Sequence, residues 1–197
     1  MPTSHTQLTI YQGAMDIVSN RVPASTSEDS PEVRWLNRNW QHYREMALRA
    51  NLWSFSIELH SLNSDGDYVA EAGWSYRYTW PNNAIRMIPP TLYGRPGFPP
   101  VPLEQRGLKI YCNVAQPLPV RFVMNESDPA NWDPLFAEVI MASLGEGLAL
   151  KFVHLSKWLQ IAQQRKKDAL ELAAQIDCFE AGMEQAEVYD IIRAREA

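Results

Sequence analysis

Two pairs of carboxylates come nearest to general acid–base chemistry in this chain. Glu126 with Asp128, and Asp133 with Glu138, could serve a glycosidase, in which one acid is protonated and the other ionised. Each pair also has a simpler use, because Asp and Glu at such spacings build turns and helix caps, and Asp133 stands directly before Pro134. Metal ligation has one weak candidate, His42 and Glu45, three apart and on one face of a helix. The other histidines, His5, His60 and His154, are scattered. Cys112 and Cys178 fit no metal spacing and read as buried or half-buried thiols. Gly145-Glu146-Gly147 lacks the Lys and Ser/Thr that complete a phosphate loop, and no nucleophile-elbow pattern occurs. The chain therefore reads as one with no catalytic residues, no metal site and no cofactor.

Stacking on nucleic acid is suggested by the aromatic run Trp74, Tyr76, Tyr78, Trp80. Arg77 and Arg86 are too few for a basic groove, and a formal net charge of −5 opposes a free-standing nucleic-acid binder. Packing of these rings in a core is the simpler reading. Arg165-Lys166-Lys167 is a compact basic cluster. It reads as a solvated helix face, or as a surface that meets an acidic patch on a neighbouring subunit.

These residues need elements to position them. With 197 residues, 46% apolar and 21% charged, the chain is long and apolar enough for one globular domain. Leu8, Tyr11, Met15 and Val18 recur at helical spacing and predict a helix over about 8–19. A second helix spans about 31–50: Ser30 caps it, Pro31 and Glu32 suit its first turn, and Val33, Leu36, Trp40, Tyr43, Ala47 and Ala50 mark its inward face. Arg34, Arg38, Arg44 and Arg49 lie mostly off that face. The period then changes to two. Trp53, Phe55, Ile57 and Leu59 predict one strand, Trp74 to Trp80 a second, Ala84–Ile88 a third, and Leu108–Cys112 and Pro119–Met124 two more, so the β region covers about 53–124. Ser64-Asp65-Gly66-Asp67 is a turn. Residues 89–102 hold six prolines and two glycines and predict an irregular, projecting loop. Helices over about 134–152 and 156–180 follow, the last capped by Ser156 and carrying Leu159, Ala162, Ala169, Leu170, Ala173 and Ile176. Residues 181–197 are helix-compatible but weakly amphipathic. The expected fold class is α+β: a bundle of four or more helices with an antiparallel β-sheet inserted between helices 2 and 3.

Four segments resemble the head-to-tail connector, or adaptor, family of short-tailed phages, often called tail tubular protein A. They are the Ser30-Pro31-Glu32 helix start with the Arg49-Ala50-Asn51-Leu52-Trp53-Ser54-Phe55 junction, and the strand Gly73-Trp74-Ser75-Tyr76-Arg77-Tyr78-Thr79-Trp80-Pro81. The short strand Ala84-Ile85-Arg86-Met87-Ile88 follows, then Asp128-Pro129-Ala130-Asn131-Trp132-Asp133-Pro134-Leu135-Phe136-Ala137-Glu138. The similarity runs in order over about residues 8–180. It departs from the family in the proline-rich loop and the C-terminal segment.

The resemblance implies a structural virion protein, not an enzyme. Such proteins form a ring, usually dodecameric, that joins the portal protein to the tail nozzle protein and lines the channel through which genome DNA passes without sequence-specific binding. A ring of such subunits would carry roughly −60 charges, and a negative lumen lets DNA slide. The candidate partner contacts are Arg165, Lys166 and Lys167 on the last helix, Tyr93 and Phe98 on the projecting loop, and Tyr189, Ile191 and Ile192 in the C-terminal segment, which is expected to order only on the portal. Met1-Pro2-Thr3-Ser4-His5-Thr6 has no signal-peptide pattern, and no apolar run approaches the ~18 residues of a membrane span. Synthesis in a bacterial host cytoplasm and residence at the head–tail interface of the virion are expected. The alternatives are a virion-associated peptidoglycan hydrolase and a small DNA-binding protein.

Overall fold

The computed structural model describes residues 5–18, 22–68, 70, 73–90, 100–153, 157–173 and 175–176. Their order is α1 (Gln7–Val18), α2 (Pro31–Ala50), β1 (Ile57–Leu62), β2 (Tyr76–Thr79), β3 (Ala84–Ile88), β4 (Leu103–Arg106), β5 (Lys109–Cys112), β6 (Leu118–Met124) and α3 (Pro134–Leu148). Residues 157–173 and 175–176 are helical and are termed α4. The fold is mixed α and β, with four helices and two three-stranded antiparallel sheets among the described residues. The chain divides into two compact units, one from Met1–Phe55 with Glu126–Ala197, the other Ser56–Asn125.

α1, α2 and α3 each start where the sequence supplies a cap. Thr9 donates its backbone N–H to Thr6 Oγ1 at 3.2 Å, and Thr6 returns the bond to Thr9 Oγ1 at 2.9 Å. Ser30 Oγ accepts from the Val33 N–H at 3.3 Å, with Pro31 behind it. Asp133 accepts from the Leu135 N–H at 2.8 Å, and Pro134 follows.

α3 is the centre of this unit. Phe136, Ala137, Val139, Ile140, Ala142, Ser143, Leu144, Gly145, Gly147 and Leu148 are all buried, so the helix is enclosed on most of its circumference. α1 and α2 both pack on it. Glycines permit the close approach. Gly13 of α1 lies against Met141, a Cβ on Gly145 would sit 3.2 Å from the Ala14 carbonyl oxygen, and Gly147 lies against Trp35 and Tyr43 of α2.

Aromatic rings tie the ends of these helices together. Tyr11 meets Trp40 edge-on with centroids 5.4 Å apart, Trp40 stacks on Trp132 at 5.4 Å, and Trp132 meets Phe136 edge-on at 4.9 Å. Trp53 and Phe55 each lie 5.1 Å from Phe136. The polar edges are satisfied: Trp53 Nε1 donates to the Ala47 carbonyl at 2.8 Å, and Tyr11 OH donates to Asn37 Oδ1 at 2.9 Å. Burial pushes the Tyr11 phenol up to about 12, opposed by the hydrogen bond from Gln7.

In the second unit, the sheets have orders β1-β6-β3 and β2-β5-β4. Leu118, Val120 and Phe122 from one and Tyr78, Ile110 and Cys112 from the other meet in a single core with Trp80 and Val101. β6 alternates buried Leu118, Val120 and Phe122 with exposed Pro119 and Arg121, the period-two signature of a half-buried strand. Gly107, at φ +57°, opens the two-residue turn between β4 and β5, a conformation that glycine adopts without strain.

Five details differ from the sequence expectation. The predicted strand over Trp53–Leu59 begins only at Ile57, because Ser54–Ser56 form a 3₁₀ turn that sends both Trp53 and Phe55 to Phe136. Arg44, expected off the inward face of α2, is buried, while Ala50 is exposed; burial lowers its guanidinium pKa and the charges of Glu45 and Glu126 oppose the shift. β4 was not expected, since Leu103-Glu104-Gln105-Arg106 has no apolar alternation and is an edge strand paired to β5. The β region forms two sheets where one was expected. The helix expected to end near Phe152 passes at Ala149–Val153 into a π-helical turn.

Phe136→Ala should lower stability by about 3–5 kcal/mol, whereas Leu150→Ala, at an exposed position, should stay within about 0.5 kcal/mol. Urea unfolding followed by tryptophan fluorescence measures both.

Candidate functional site

The basic cluster of α4 has partners in its own unit. Lys166 Nζ lies 3.2 Å from Glu146 Oε2 and Arg165 lies 4.0 Å from Glu138, both acids belonging to α3. Lys167 pairs within its own helix with Glu171 at 3.6 Å. Glu146 also accepts from Gln163 Nε2 at 3.0 Å, and its charge, after burial, raises the Tyr43 phenol. Glu146 is thus a junction of α2, α3 and α4. Arg165 and Lys167 remain more than half exposed. Tyr93, Phe98, Tyr189, Ile191 and Ile192 lie outside the described residues, as do Cys178, His154 and Ser156.

Three of the four carboxylates considered for acid–base work hold backbone. Glu126 accepts from the Asp128 N–H at 2.8 Å, Asp128 accepts from the Ala130 N–H at 3.0 Å, and Asp133 caps α3. His42 meets Tyr43 edge-on at 5.7 Å, and Glu45 accepts from Gln41 at 2.8 Å. Among the described residues, no three His, Cys, Asp or Glu side chains are grouped to hold a metal ion. Cys112 is a free, buried thiol whose pKa is raised by that burial. No helix among the described residues is long and apolar enough to cross a membrane.

The aromatic strand faces inward. Tyr78 is fully buried with its OH donating to the Val114 carbonyl at 2.7 Å, and Trp80 donates to the Ala84 carbonyl at 3.0 Å while meeting Phe122 edge-on. Tyr78 and Trp80 are therefore core residues. Trp74 is half-buried and donates to Glu104 at 2.8 Å.

The opposite face of β2-β5-β4 carries a network that sequence reasoning missed. Strand register places Arg77 opposite Tyr111 and Thr79 opposite Lys109, with Glu104 and Arg106 beside them on β4. The turn residue Asp65 binds three of these: Arg77 Nε at 2.7 Å, Lys109 Nζ at 2.8 Å and Thr79 Oγ1 at 2.8 Å. Arg77 also reaches Asp67 at 2.7 Å and lies 5.2 Å above the Tyr68 ring, while Arg106 lies 5.0 Å above Tyr111 and pairs with Glu104. Burial alone would raise the Asp65 carboxyl, but the hydrogen bonds from Lys109, Thr79 and Arg77 outweigh it and hold it at about 2. The usable signal was the spacing of 77 with 79 and 109 with 111, which puts four polar or aromatic side chains on one face. Nothing in the turn sequence announced its anchor.

No protein-family model matches the chain, and no curated protein matches it significantly.

Because the Asp65 carboxyl is lower in the folded chain than its ordinary 3.8, its stabilisation is complete above that value and lost as pH falls through about 2. Asp65→Asn should cost roughly 1 kcal/mol at neutral pH, after solvent screening, and should flatten the loss of stability between those two pH values. Denaturant midpoints across an acid pH series for both proteins check this.

Proposed function

We propose that this chain is a structural subunit of a short-tailed phage virion, a connector that assembles as a ring, a dodecamer by analogy with the family it resembles, between portal and tail nozzle. In this reading the helices and the two small sheets together make the connector domain, and genome DNA passes through the ring lumen without sequence-specific contact. Work is done by interfaces between subunits and with the two neighbouring proteins, not by a catalytic group.

One observation supports the reading. Two segments that carry the resemblance, the Arg-Ala-x-x-Trp-x-Phe junction and the Asp-Pro-Leu-Phe segment, meet at Phe136, where Trp53, Phe55 and Trp132 surround the ring. Residues from distant parts of the chain thus form one packed centre. The third segment does the same in the other unit, where Tyr78 and Trp80 are core residues.

Light scattering on the purified protein mixed with the portal ring encoded by the same genome should show about twelve copies added per portal. A folded protein that adds no mass to the portal would overturn the reading. Turbidity loss of cell-wall suspensions would point instead to a hydrolase, and a gel shift at physiological salt to a DNA-binding protein.

A further inference from the structure

The turn that anchors the outer face of β2-β5-β4 also holds a chemically labile link. Asp65-Gly66 is the only Asp-Gly or Asn-Gly pair in the chain. In such a pair the glycine nitrogen, with no side chain beside it, attacks the side-chain carboxyl carbon of the aspartate whenever the two can meet. Gly66 is exposed, and a Cβ built on it would meet nothing within 4 Å, so the nucleophile is uncrowded. The carboxyl is held fast. Asp65 Oδ2 accepts from Arg77 Nε at 2.7 Å and from Lys109 Nζ at 2.8 Å, and Oδ1 accepts from Thr79 Oγ1 at 2.8 Å, so both oxygens are engaged. That side chain is only 15% exposed. The backbone is tied as well: the Asp65 N–H donates to the Arg77 carbonyl at 2.8 Å, and the Tyr68 N–H closes the turn on the Asp65 carbonyl at 3.2 Å. Burial alone would raise the carboxyl, but the bonds from Lys109, Thr79 and Arg77 hold it at about 2. The neutral acid, the form that gives up its OH, is therefore scarcer than in an unfolded chain.

We infer that Asp65-Gly66 is a latent isoaspartate site, kept shut by the Arg77, Lys109 and Thr79 side chains and modified when the turn opens. In the first step the Gly66 nitrogen bonds to Asp65 Cγ; the amide proton and the carboxyl OH leave as water, and a cyclic imide remains. Water then adds back. Addition at Cγ restores aspartate. Addition at the Asp65 main-chain carbonyl breaks its bond to Gly66, so the chain runs through Cγ and the main-chain carbon becomes the free carboxylate. Water is the sole other reactant. To begin, the carboxyl must leave three hydrogen bonds and swing toward its own main chain, and bonds to charged donors make that departure costly. The product carries its carboxylate one carbon nearer the backbone and adds a methylene to the chain. It no longer matches the spacing of Arg77, Lys109 and Thr79, so an opening of the turn leaves a lasting mark. This inference does not depend on the connector reading.

Incubating the full chain at neutral pH, both folded and unfolded in guanidinium chloride, tests it, with isoaspartate at residue 65 measured by peptide mass spectrometry with electron-transfer fragmentation. The folded chain should convert at least about tenfold more slowly than the unfolded one. Lys109→Met combined with Thr79→Val, which leaves Arg77 on the carboxyl, should speed conversion of the folded protein about tenfold. Gly66→Ala, for which the turn has room, should fold normally and convert slowly even when unfolded. Equal rates for the folded and unfolded chain, no isoaspartate at residue 65 in the unfolded chain, or a folded double variant no faster than the unaltered protein would each overturn the inference. Should the double variant not fold, the folded-to-unfolded ratio of the unaltered chain decides the matter.

Discussion

The enclosure of α3 is the constraint on which the helical unit depends. A helix buried on most of its surface must satisfy its own backbone, offer no bulk where neighbours approach and provide anchors at its ends. Each requirement maps to named residues. Asp133 and Pro134 settle the first turn. Gly145 and Gly147 leave room for α1 and for the rings of α2. Phe136 gathers Trp53, Phe55 and Trp132 at one end, and Glu146 gathers polar partners from α4 at the other. Close packing makes such a helix intolerant of volume changes in either direction.

The β unit is organised by a different principle. Its interior is apolar and aromatic, and its outer face on β2-β5-β4 is a closed set of charges. Asp65 serves Arg77, Lys109 and Thr79 together, and Glu104 serves Arg106 and Trp74. Arg106 beside it, with the Trp74 indole, holds the Glu104 carboxyl below the usual carboxylate range. Cations satisfied in this way are poor binders of phosphate, because a ligand must displace an existing partner. That face therefore fixes the turn and the strands.

Local signals made the helices legible. Ser30 before Pro31 and Asp133 before Pro134 mark helix starts by chemistry that acts within one turn, and the structure starts α2 and α3 there. The strands were legible where one face is apolar, as in Tyr76–Thr79 and Leu118–Met124. β4 was not, because an edge strand can be stabilised by backbone pairing alone. Trp53 and Phe55 misled because alternation also arises in a turn whose rings share one target. Arg44 was misread because its charge argues for solvent, whereas burial inside a helical unit depends on partners no sequence window contains. The basic run on α4 was visible as a run; its acids, Glu138 and Glu146, were unforeseeable without the packing of α4 on α3.

The central claim is that this chain acts through assembled surfaces at a head–tail junction. Cryo-electron microscopy of the particle produced by the genome that encodes it addresses that claim most directly. The account predicts a ring between portal and nozzle whose repeated density accommodates α1, α2 and α3 packed around Phe136. A particle that lacks the chain, or carries it elsewhere, would contradict the account.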